Sequence, residues 1–133
     1  MASIHSDLPI VIDHVAKPRM GAGQAPDENW REGISALAAL PNVWCKLSGM
    51  VTEADWARWS PTDIRPYIDE VLRIFGPARC MMGTDWPVSL LASDYKRTVD
   101  LVRNVIAKLP EADQQSILWN SAVTAYRLNV TQP

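Results

Sequence analysis

Cys80-Met81-Met82-Gly83-Thr84-Asp85-Trp86-Pro87 is the stretch on which the fold turns. A short apolar run ends on a carboxylate and is closed by a breaker, Pro87. That pattern predicts a buried parallel strand that delivers Asp85 to the mouth of an α/β sheet or barrel. An acid beside a large aromatic in such a mouth can take a proton from water, hold a metal or orient a polar substrate. An Asp in this setting can equally cap the turn that follows it.

Two upstream segments end in the same way. Leu8-Pro9-Ile10-Val11-Ile12 closes on Asp13-His14, and Asn42-Val43-Trp44-Cys45 runs into Lys46-Leu47-Ser48-Gly49. The run starts lie roughly 35 residues apart, about the length of a strand, a crossover helix and their loops. Three βα units in series are the simplest organisation.

The segments between the runs carry helical periodicity and stop signals. Trp30, Ile34, Leu37 and Ala38 form one apolar stripe before Pro41. Ser60-Pro61-Thr62-Asp63 is a helix start, with Pro61 or Pro66 tolerable in a first turn. Ile64, Ile68, Val71 and Phe75 mark the buried side of that helix, and Gly76-Pro77 stops it. Tyr95, Val99, Val102, Val105, Ile106 and Leu109 predict a third helix ended by Pro110. Ile117, Leu118, Ala122, Ala125, Tyr126 and Leu128 predict a fourth. The expected fold class is therefore α/β, a single domain over residues 1–133 with about three parallel strands and four helices.

Composition narrows the function classes. A net charge of -2 and the absence of any basic run offer no handle for nucleic acid or anionic membrane. No apolar stretch approaches the roughly 18 residues of a membrane span. The start Met-Ala-Ser-Ile-His lacks a basic-then-apolar signal region, and a cytoplasmic location is the default expectation. Cys45 and Cys80 fall on neighbouring predicted strands without zinc-ligand spacing, and read as buried free thiols. Most of the six tryptophans sit where burial explains them; Trp86, with Trp56 or Trp59, lies in loops after strands and is placed to meet a ligand.

The ordered set VIDHVAKP (residues 11–18), WCKLSGMVTEADW (44–56), IRPYIDEVLRIFGPARCMMGTDWPV (64–88) and AVTAYRL (122–128) resembles the C-terminal half of the amidohydrolase-related family, the amidohydrolase 2 group. Within that family it looks most like the sugar-lactone, fuconolactone or rhamnonolactone hydrolases. The resemblance runs from about Leu8 to Leu128. It implies a (β/α)8 barrel that hydrolyses a lactone or amide at the C-terminal ends of its strands. By the same resemblance Asp85 is the general base and, where metal is present, a ligand. His14 binds metal or polarises the carbonyl and its water; Lys46, Ser48 and Trp86 match family positions of less definite role. Thr84 stands where serine is commoner, and Ser121 where asparagine is usual.

The resemblance also exposes what is missing. Barrels of this class take roughly 250 residues and eight strands. The family's first-strand His-x-His pair has no counterpart, since His5 stands alone. The chain therefore reads as strands six to eight of a TIM barrel, a partial barrel completed by a homo-oligomer or by a missing N-terminal half. Its open edges and an apolar face built from Ile10, Ile12, Leu47 and Met81, or their alternates, need cover. Asp85 and His14 are the expected catalytic pair and candidate metal ligands, for one divalent ion, zinc or manganese, or none. Lys17, Lys46, Ser48 and Trp86 are the expected contacts to a small-molecule substrate. Lys46 on a buried strand calls for a carboxylate partner or an anionic ligand. Asp13 alternates to the face opposite His14 and is expected to be structural. A catalytically incompetent α/β module or an interaction subunit is the rival reading.

Overall fold

The structure is a computed structural model that describes residues 5–130. Three parallel strands, β1 (Ile10–Ile12), β2 (Val43–Leu47) and β3 (Cys80–Met82), form one sheet in the order β1-β2-β3. Helices α1 (Glu28–Ala38) and α2 (Pro61–Phe75) connect them, and α3 (Tyr95–Ile106) follows β3. A last helical run begins at Glu111, six residues before the first periodic apolar residue, Ile117. It comprises α4 (Glu111–Gln115), a wider π turn (Ser116–Asn120) and α5 (Ser121–Ala125). Among the described residues no helix is long and apolar enough to cross a membrane.

The strand register sorts the apolar side chains onto two faces. Ile10 pairs with Val43, Ile12 with Cys45, Cys45 with Cys80 and Leu47 with Met82, so these residues share one face. That face carries the core, closed by Ile34 of α1, Ile64, Ile68 and Val71 of α2, and Val102 and Ile106 of α3. Lys46 pairs with Met81, and Val11 with Trp44, on the opposite face. Met81 is therefore not a face-mate of Ile10, Ile12 and Leu47, because side chains alternate along each strand. Both cysteines are free and fully buried on the helix-covered face.

Helix α2 begins as its sequence dictates. Asp63 accepts from the Ser60 backbone N–H and from the Ser60 hydroxyl, both at 2.8 Å, and Pro61 sits at the first helical position. A third donor reaches across the chain, Gly23 N–H to Asp63 Oδ1 at 3.1 Å. The Ser60 hydroxyl, the Ser60 backbone and the Gly23 N–H hold the Asp63 carboxyl below its ordinary value. A carboxyl depressed in the folded state stabilises the fold above its unfolded value of about 3.9 and loses that contribution as pH falls through the folded value. Acid unfolding followed by circular dichroism should therefore show a flatter pH dependence below about pH 4 in Asp63→Asn than in the parent chain. Pro66 lies one turn into the helix and costs it one backbone bond. Gly76, at φ 72°, ends it by donating to Leu72 O at 3.0 Å.

At the other end of the chain, Ser121 donates to the carbonyls of Pro77 and Ala78 at 3.3 and 3.0 Å, and ties α5 to the entry of β3.

Candidate active site

All three strands run parallel, so their C-terminal ends share one rim, and each ends in a backbone feature that turns a polar group inward. After β1 the chain makes a left-handed turn: His14, Val15, Ala16 and Lys17 have φ of 54°, 47°, 61° and 51°. None is glycine, and a β-branched residue such as Val15 in this region is strained by about 1–3 kcal/mol. Packing and hydrogen bonds compensate. Val15 is fully buried in the core, Trp30 Nε1 donates to Val15 O at 2.8 Å, and Lys17 N–H donates to His14 O at 2.8 Å.

This turn replaces the simple alternation of a strand. Asp13 and His14, consecutive residues, both serve the rim through different partners. Lys46 donates to Asp13 Oδ1 at 2.6 Å, so the carboxylate partner Lys46 needs is Asp13. Burial alone lowers the Lys46 ammonium's affinity for its proton, yet the hydrogen bonds to Asp13 and Tyr126 outweigh it and the net shift is upward. The Lys46 charge also lies 5.8 Å from the centroid of the Tyr126 ring.

The imidazole of His14 stands between two residues from the other strand ends. Its Nδ1 is 2.9 Å from Ser48 Oγ, and its Nε2 is 3.5 Å from Asp85 Oδ1. The His14 and Asp85 side chains are 25% and 12% exposed, open enough for a small molecule to reach them. Asp85 also sits in the left-handed region, at φ 55°, which Asp tolerates better than most residues. Its carbonyl accepts from Ser89 N–H at 2.9 Å, which fixes the turn after β3.

Glycines make the room. A Cβ on Gly49, at φ 62°, would lie 2.5 Å from both Cγ and Nδ1 of His14. A Cβ on Gly83 would lie 2.9 Å from Lys46 Cδ and 3.0 Å from Ser48 Cβ. These two residues therefore shape the pocket for the imidazole and the lysine stem.

The remaining expected site residues are more peripheral. Lys17 donates to Glu53 at 2.6 Å, and the hydrogen bond and charge of Glu53 raise its pKa; its side chain is 57% exposed at the rim. Trp86 is 61% exposed. Trp56 is exposed and donates to Thr52 O, whereas Trp59 is buried, donates to Ala92 O and stacks under Arg97 at 3.7 Å. Trp59 is thus a packing residue. Glu53, Gly49 and Tyr126 join the site without having been expected in it.

The two potential metal-ligating atoms, His14 Nε2 and Asp85 Oδ1, lie 3.5 Å apart. Two ligands each about 2.1 Å from one tetrahedral ion stand roughly 3.4 Å apart, close to the spacing present, so the pair fits a divalent cation as a partial ligand set. Among the described residues no group of three or more His, Cys, Asp and Glu is gathered that could complete it.

Comparison with known proteins places the chain in a family. An L-fucono-1,5-lactonase of Burkholderia multivorans is 42% identical over 127 residues, which cover 90% of this chain and 43% of the relative. The L-fucono-1,5-lactonase of Burkholderia ambifaria is 47% identical over 92 residues, 66% of this chain and 29% of the relative. A crystal structure of an amidohydrolase from Burkholderia multivorans with bound zinc superposes with a TM-score of 0.88 at 38% identity, over 96% of this chain and 46% of that one. The structural neighbours are TIM-barrel amidohydrolases, and the three strands correspond to part of such a barrel. The chain spans less than half the length of these relatives. A model of the Amidohydrolase family matches residues 1–128, and the chain belongs to that family.

Proposed function

We propose that this chain contributes the acid-base half of a lactone hydrolase acting on a small sugar-derived or carboxylated lactone. The observation that carries the reading is the approach of His14 Nε2 to within 3.5 Å of Asp85 Oδ1 at a rim both reach from different strands. Asp85 accepts a proton from a water whose oxygen attacks the lactone carbonyl carbon. His14 donates a hydrogen bond to the oxyanion that forms. Collapse of the tetrahedral intermediate breaks the bond to the ring oxygen, and the proton held by Asp85 passes to that oxygen to give the hydroxy acid. Lys17 and Trp86, both exposed at the rim, contact the substrate, and Lys46 and Ser48 hold the site from beneath.

A divalent ion would be held by His14 and Asp85, with its remaining ligands from outside the described residues, and would supply Lewis-acid polarisation of the carbonyl. The zinc in the Burkholderia neighbour and the 42% identity to an L-fucono-1,5-lactonase support this class of substrate and ion. The edges of β1 and β3, which pair with no further strand among the described residues, take up further strands from a second copy or from a chain carrying the rest of a barrel.

The test is hydrolysis of L-fucono-1,5-lactone and a simple aldonolactone, followed by acid release at constant pH. The chain is first stripped with a chelator and then resupplied with zinc or manganese, with its mass in solution measured in parallel. Acid release above the buffer rate by an assembled species is the expected result. A background rate at every assembly state and metal content would sink the reading.

A further inference from the structure

We propose that Trp30 and Tyr67, on the helices behind the sheet, act as one clamp that holds the left-handed turn after β1 and so keeps the His14 imidazole at the rim; both are positioning residues. The inference deepens the role proposed for His14 and rests on its place beside Asp85. Continued as a strand, the chain would turn His14 to the face of Ile10 and Ile12, under the helices. The turn prevents this at a cost. Four consecutive residues that carry a Cβ, His14 to Lys17, lie at φ of 47° to 61°. Each such residue is disfavoured on the order of tenfold against its ordinary backbone conformations.

The closing bond of the turn, Lys17 N–H to His14 O at 2.8 Å, is local. Two aromatic side chains hold it from outside. Trp30, in the first turn of α1, donates from Nε1 to Val15 O at 2.8 Å, and Tyr67 of α2 donates from its hydroxyl to Arg19 O at 3.0 Å. The accepting carbonyls flank Lys17 on either side. The two rings meet edge to face, with centroids 5.6 Å apart and planes at 64°, so displacement of one loosens the other's bond. Val15 and Met20, at the two ends of this stretch, are buried in the core, and Met20 N–H donates to Glu53 O at 3.1 Å. Tyr67 is 1% exposed. Burial, then the charge of Asp27, raises its phenol above the ordinary value, so the proton that Arg19 O accepts stays in place.

Amide hydrogen exchange reads how often the turn opens. Two amides report on it: Lys17 N–H, bonded to the carbonyl of His14 itself, and Met20 N–H, bonded to Glu53 O. Tyr67→Phe deletes one oxygen, keeps the ring and leaves Arg19 O without its donor. Trp30→Phe does the same to Val15 O with a smaller ring. In each variant both amides should exchange about tenfold faster than in the parent at the same pH, the factor expected when a buried acceptor loses its partner. Ser121→Ala is the control. It deletes bonds of the same kind, to Pro77 O and Ala78 O at the entry of β3, and should lower the unfolding midpoint while both amides keep the parent's rate.

Unchanged exchange at Lys17 and Met20 in Tyr67→Phe overturns the proposal, whether or not Trp30→Phe folds. Acceleration of one amide alone in each variant overturns the single clamp. Equal acceleration in Ser121→Ala shows that the turn answers to the stability of the whole fold, and overturns the proposal too. None of these arms reads hydrolysis, so an inactive chain and a loose turn are separate results.

Discussion

Asp85→Asn is expected to lower lactone hydrolysis by roughly 10²- to 10⁴-fold, the range that loss of a general base covers. The substitution isolates chemistry from folding. Asp85 holds φ 55°, and Asn shares with Asp an unusual tolerance of that region, so the turn after β3 and the bond from Ser89 N–H survive. The amide keeps the carboxylate's shape yet cannot accept the proton of the attacking water. Alanine would be a poorer probe, because it adds backbone strain to the loss of the base. The measurement is the turnover number on the assembled protein, with mass in solution and unfolding midpoint matched to the parent. Turnover in Asp85→Asn equal to the parent's would remove Asp85 from the role assigned to it.

The second large effect is structural in origin. Gly49→Ala is expected to destabilise the fold and to expel His14 from its place, whereas Gly23→Ala should do only the first. Both glycines are left-handed, at φ 62° and 67°, so each alanine variant carries the same backbone cost of about 1–2 kcal/mol. Their surroundings differ. The new Cβ at position 23 meets nothing within 4 Å, while that at position 49 would lie 2.5 Å from two ring atoms of His14 and 2.8 Å from its Cβ. The ring belongs to a turn already strained at four consecutive residues and has little freedom to retreat. Denaturant unfolding should therefore show a larger loss for Gly49→Ala than for Gly23→Ala, and hydrolysis should fall only in the former. Equal losses in both variants would show that the room left by Gly49 is incidental to His14.

Much of the layout is legible in the sequence because it follows from periodicity and punctuation. The strand ends were marked by apolar runs closing on polar residues, and the start of α2 by a serine three positions before an aspartate. Parallel strands then bring Asp85 and the segment after β1 to one rim. The detail of the rim is not written in any such pattern. Strand alternation sends Asp13 and His14 to opposite faces, and the left-handed turn that re-aims His14 is built from residues that carry no signal for positive φ, Val15 least of all. It exists because the core claims Val15 and Trp30 clamps its carbonyl. The Lys17–Glu53 pair joins loops 36 positions apart, a relation that no spacing rule encodes. Ser48 read as a substrate contact because its strand-end position was visible, whereas the direction of its hydroxyl depends on where that turn places the ring.

The two sulfurs of the sheet follow from the same register that builds the rim. Cys45 and Cys80 are direct neighbours across β2 and β3 on the helix-covered face. Desolvation holds both protons in place, the Cys80 thiol being pushed up to about 12 and the Cys45 thiol higher still. In the closed sheet they are chemically silent to electrophiles and oxidants that seek a thiolate. Covalent labelling at either position would consequently count the excursions that bring a thiol to solvent, and the chain carries its own clock for such opening.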